Sequence, residues 1–166
     1  MRVSNELQRL LLHNAAFTPP PSIVAGVPAS SRTVRPGGVP HSIAEELWHV
    51  VYWQDLFLRW ARSEPLAYPA RAQDGWTTFD GLTDVEWDEV VRRFETGLVE
   101  AAEFAGKPDL HQRGSTLVEP DSGLGPLTLF ELLANLAAHN AYHLGRIVQL
   151  RQMLGCWPPP GGGDTW

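Results

Sequence analysis

The sequence has a single cysteine, Cys156, among 166 residues. One thiol can form neither an intrachain disulfide nor a thiolate metal cage. Positive charge is also in short supply: 13 Lys plus Arg against 19 Asp plus Glu leave a formal charge of −6. Nucleic-acid binding rests on neutralising phosphates, and anionic lipid attracts polybasic segments, so neither partner is expected. No apolar run approaches the roughly 20 residues that a membrane helix needs. The opening Met1-Arg2-Val3-Ser4-Asn5-Glu6 has no apolar signal core, and a cytoplasmic location is expected. Strand signals are scarce as well, with Ser115–Val118 the only short candidate.

What the chain does have is hydrophobic residues, 43% of the total, enough for one packed core. Its 15 glycines and 14 prolines cluster at 19–40, 65–81, 106–126 and 155–163. Helical patterns fill the intervals. Residues 1–157 therefore read as a single domain, and 158–166, beginning Pro158-Pro159-Pro160-Gly161-Gly162-Gly163, as a flexible tail. Three intervals open with Ser/Thr-x-x-Glu: Ser42-Ile43-Ala44-Glu45, Thr83-Asp84-Val85-Glu86 and Thr128-Leu129-Phe130-Glu131. This is the capping box, in which hydroxyl and carboxylate satisfy N–H groups that the first helical turn leaves unpaired. Helices are expected over 4–17, 43–62, 84–105 and 129–154, with a short helical turn possible in 22–31. The architecture this implies is all-α, an antiparallel four-helix bundle with long connections at 63–82 and 106–127. Connections of that length allow a crossover or carry function.

Six histidines are present. His139 and His143 stand at i and i+4 of the last helix, on one face with Leu132, Leu136, Ile147, Leu150 and Leu154. Two imidazoles thus replace core residues in an apolar stripe. Burying a polar group without a partner costs about 1–3 kcal/mol, and one divalent ion would compensate both. His49 occupies a similar place in the second helix, among Trp53, Leu56 and Trp60. The middles of two antiparallel neighbours would bring the three rings together. A carbonyl-bonded core histidine explains any one of these singly; the trio favours a metal. Three histidines without a fourth protein ligand leave an open coordination position, as in catalytic zinc sites. Glu46 makes Glu-x-x-His with His49, but the second such motif of a di-iron bundle is missing. Orienting partners for the imidazoles are expected from Asn135, Asn140 or backbone carbonyls. His13, His41 and His111, at helix ends or in loops, read as surface residues.

The segments Pro40-His41-Ser42-Ile43-Ala44-Glu45-Glu46-Leu47-Trp48-His49-Val50-Val51-Tyr52-Trp53-Gln54 and Ala138-His139-Asn140-Ala141-Tyr142-His143-Leu144-Gly145-Arg146-Ile147-Val148 resemble the two signature segments of the DinB/YfiT-like superfamily. The resemblance implies a four-helix bundle with a crossover connection, often homodimeric. It implies zinc or nickel on His49, His139 and His143. It also implies small-molecule chemistry, either transfer of a low-molecular-weight thiol or metal-dependent hydrolysis. A non-catalytic metal- or ligand-binding module is the alternative. The chain departs from the pattern in its Pro-rich 18–40 segment, which can break the first helix.

If a thiol were activated at the metal, the chain would mainly orient its partner. Arg146, three residues past His143, could hold an anionic group or make a surface ion pair. Trp53, with Trp48 and Trp60, could line an apolar pocket or belong to the core. Tyr52 and Tyr142 adjoin ligands in sequence but are rotated about 100° away from them, so packing is expected. No residue is identified as catalytic, and Cys156 has no histidine at a telling spacing.

Overall fold

The computed structural model describes residues 5–13, 18–117 and 126–163. It is all-helical, with six α-helices and no strand among the described residues: α1 (Glu6–Leu12), α2 (Pro20–Val24), α3 (Ala29–Arg32), α4 (Ile43–Ala61), α5 (Asp84–Ala105) and α6 (Leu129–Met153). A 3-10 turn spans Ala72–Gly75. Each long helix begins on its expected capping box. Ser42 and Glu45, Thr83 and Glu86, and Thr128 and Glu131 exchange side-chain and backbone hydrogen bonds reciprocally. The helix of 4–17 is found only as α1, and residues 4 and 14–17 lie outside the described set. The Ser115–Val118 strand is replaced by one isolated bridge between Gly114 and Thr128; Val118 lies outside the described residues.

α4 is the central element. Apolar residues occur on every side of it, and 14 of its 19 residues are buried; a helix apolar all round belongs inside. The core divides in two along its length. At one end Phe57, Trp60 and Ala61 of α4 meet Ala101, Phe104 and Ala105 of α5, Leu129 to Leu136 of α6, and Leu7 and Leu11 of α1. At the other, Ile43, Leu47 and Val50 of α4 meet Trp87, Val90 and Phe94 of α5 and Leu144 to Leu150 of α6. The beginnings of α4 and α5 therefore share one end of the bundle, and these two helices run in the same direction. α1 and α6 oppose both. Residues 62–83 are the crossover that parallel neighbours require.

Side-chain amides lock the helices together. Asn5 and Gln8 donate to the carbonyls of Ala105 (2.7 Å) and Ala102 (2.8 Å) in the last turn of α5. Gln54, fully buried in α4, donates to the Phe94 carbonyl of α5 (3.0 Å) and accepts from Asn140 of α6 (3.3 Å). Gly97 makes room for it: a Cβ there would lie 2.0 Å from the Gln54 amide nitrogen.

The tail does not trail off over its described part. Pro159 is buried, Pro160 packs over Gly26, and Gly163 sits against Thr18. Buried Arg151 secures the same end, donating to the carbonyls of Ala25 (3.0 Å) and Cys156 (2.9 Å) and also to that of Ile23 (2.5 Å). Among the described residues no helix is long and apolar enough to cross a membrane.

Candidate metal centre

The opposed directions of α4 and α6 bring His49 to His139 and His143. The Nε2 atoms of His49 and His139 are 3.3 Å apart. The His143 ring centroid lies 4.5 Å from each of the other two. One nitrogen from each ring can be chosen so that all three lie within 4.8 Å of one another. A metal-free scaffold that keeps His49 far from His139 is therefore ruled out.

The outer nitrogens decide which lone pairs face inward. Nδ1 of His49 stands 2.9 Å from the carbonyl of Gly75. A carbonyl only accepts, so that nitrogen carries the proton and Nε2 offers its lone pair. Nδ1 of His143 meets a carboxylate oxygen of Glu46 at 2.8 Å, which likewise leaves Nε2 for the centre. Glu46 is fully buried, and its other oxygen faces the Arg146 guanidinium at 2.8 Å. Nδ1 of His139 is buried with no hydrogen-bond partner among the described residues. Burial, reduced in part by the Gly75 contact, lowers the His49 pKa to about 4. Burial, then the neighbouring His143 and His49, lower that of His139 to about 4. These two rings are thus neutral donors at pH 7. Three converging imidazoles, two of them anchored by their outer nitrogens, are the donor set a divalent ion requires, and the residues fit it.

The three histidines form one wall of a cavity of about 350 Å³, completed by Trp53, Phe57, Tyr68, Ala72 and Trp76. The lining contains no carboxylate, lysine or arginine. Trp76 lies flat on His49, with centroids 3.9 Å apart and planes 13° apart, and His41 covers its other face at 3.6 Å and 9°.

A family model described as the DinB superfamily matches residues 21–147. The chain belongs to the DinB superfamily. No curated protein and no solved structure matched it.

In this DinB-superfamily chain, Trp53 belongs to the core and also lines the cavity beside the histidines, whereas Trp60 is core and Trp48 packs on Phe79 and Arg93. Arg146 lines a different cavity, with Val39, His41 and Tyr142, and its ion pair is with Glu46. Tyr142 is 64% exposed rather than packed away. Asn140 bonds Gln54 and partly offsets the effect of burial on the His139 pKa, Asn135 is exposed, and a backbone carbonyl, that of Gly75, meets His49. His13 and His111 are exposed, but His41 is half-buried in the stack.

Gly75 and Trp76 are the site residues that the sequence reading missed, and Glu46, named there in Glu-x-x-His, was given no role at the site. Glu46 had a signal, three residues before His49 on the same face. Its partner lies on the other helix, where only the register of α4 against α6 could place it. The signal for Trp76 was an aromatic residue inside a Gly/Pro-rich connection.

Proposed function

We propose that this DinB-superfamily protein is a metal-dependent enzyme acting on a small molecule, with zinc or nickel held by His49, His139 and His143. The reaction type is transfer of a low-molecular-weight thiol, with hydrolysis as the neighbouring possibility. The observation that carries this reading is the convergence of three imidazoles on the wall of a cavity, with no carboxylate or cysteine in the cluster. Three protein ligands leave one position for an exchangeable group.

A divalent ion bound there would act as a Lewis acid, favouring the deprotonated form of a thiol or water beside it. Among the lining residues no carboxylate is available as a general base. A thiol, with a pKa of about 8.5 against 15.7 for water, needs less help to ionise, so thiol transfer comes first. The chain's own part is to hold two imidazoles by their outer nitrogens and to offer the reacting partner an apolar wall of Trp53, Phe57 and Trp76. Arg146 is offered to substrate from the second cavity, where it is 31% exposed. A cytoplasmic homodimer belongs to the same proposal.

The lack of a general base in the lining also favours a second reading, a non-catalytic metal- or ligand-binding module. Cobalt-substituted protein separates the two. Under the enzyme reading, adding a small thiol produces a sulfur-to-metal charge-transfer band, and the metal-loaded protein consumes thiol when an electrophile is supplied. An unchanged spectrum with no turnover supports the binding module.

A further inference from the structure

We infer that the Gly75–Trp76 segment of the crossover is a positioning clamp for His49, so that metal affinity depends on this connection as well as on the three ligands. The inference rests on the metal-binding reading above. Residues 62–83 join two helices of the same direction and must return along the bundle, and the turn at Ala72–Gly75 falls beside the histidines.

Two contacts of different direction fix the ring. The hydrogen bond from Nδ1 to the Gly75 carbonyl lies along the imidazole edge and sets its rotation. The Trp76 indole covers the ring face at 3.9 Å and blocks tilting toward the connection. His41 backs the indole from the far side. α4 supplies neither restraint, since no side chain of α4 bonds the His49 ring.

Only glycine allows this approach at position 75. A Cβ there would stand 2.9 Å from Nε1 of Trp53, 3.2 Å from Nδ1 of His49 and 3.2 Å from Cδ1 of Tyr52. Trp53 is buried, so the backbone of residue 75 would have to retreat, taking its carbonyl out of reach. Gly75 and Trp76 touch no reacting atom by this account; they act through His49.

The test compares wild type with Gly75→Ala, Trp76→Leu and Trp76→Phe. Zinc affinity is read by competition with a chromophoric chelator, and the His49 tautomer by long-range proton–nitrogen spectra of the metal-free proteins. Outer partners of metal-bound histidines are typically worth about 10–100-fold in affinity, so Gly75→Ala and Trp76→Leu are expected to bind zinc at least about tenfold more weakly. Trp76→Phe, which keeps a flat ring, should stay close to wild type. The Nδ1–H form of His49 should dominate in wild type and give way to a mixture in Gly75→Ala. Affinities matching wild type in Gly75→Ala and Trp76→Leu, with the tautomer unchanged, would overturn the clamp. If wild type itself bound no zinc, the metal reading would fall, and the tautomer would still decide the clamp: lost in Gly75→Ala it stands, retained it fails.

Discussion

Replacing Glu46 by Gln removes one charge from a fully buried carboxylate while keeping its shape. The carboxylate accepts from Nδ1 of His143 at 2.8 Å and faces the Arg146 guanidinium at 2.8 Å. An amide can turn its oxygen to only one of these donors, and its NH₂ then confronts the other. Turned toward His143, it exchanges a charge-assisted hydrogen bond worth about 1.5–3 kcal/mol for a neutral one worth about 0.5–1.5 kcal/mol. The imidazole becomes less basic at Nε2 by a comparable free energy, about 1–2 kcal/mol. At about 1.4 kcal/mol per factor of ten, zinc affinity should fall by about 5–30-fold. Chelator competition at fixed pH measures this directly. The control is Glu45→Gln, one residue away, which loses the charge of its ion pair with Arg35, keeps an amide oxygen for the Ser42 N–H and bonds no histidine. It should lower the melting temperature and leave zinc affinity alone. Equal zinc affinity in wild type and Glu46→Gln would refute the reasoning, because the carboxylate would then contribute nothing to the donor strength of His143.

Gly97→Ala should destabilise the protein even though alanine is the better helix former by about 0.5–1 kcal/mol. The new Cβ displaces Gln54 and breaks its bonds to Phe94 and Asn140. Unpairing a buried amide costs about 1–3 kcal/mol, so a net loss of about 1–2 kcal/mol and a lower melting temperature are expected; a rise would contradict the account. Metal-free protein should lose stability as pH falls from about 6.5 toward 4. In that window the unfolded chain protonates His49 and His139, while burial keeps both neutral in the fold until about 4. Burial alone would raise the Glu45 pKa, but the Arg35 hydrogen bond and the Ser42 cap hold it below its ordinary value, so its contribution also disappears as pH falls, at the acid end. Denaturant midpoints at pH 7.5 and 5 check this, and a higher midpoint at pH 5 would contradict it.

The helices were legible because their signals are local. Ser42, Thr83 and Thr128 each stand three residues before a glutamate, and the N-terminal boundaries follow from that chemistry alone. The three histidines were legible because imidazoles are out of place in apolar stripes. The direction of α5 was not, since an amphipathic stripe packs equally well either way up, and only the crossover length hinted at it. Gly75 was invisible for a related reason. Its role lies in a backbone carbonyl and in the absence of a Cβ, and neither is a side-chain pattern. The packing of Pro160 was not legible either, because it depends on Gly26, far away in the sequence, lying against it.

Metal content measured on dialysed protein tests the central claim most directly. After exposure to zinc or nickel, wild type should retain about one ion per chain, and His49→Ala and His143→Ala almost none, because one ligand from either helix is lost. Retention of the same amount by wild type and both variants, or by none of them, would contradict a shared three-histidine centre.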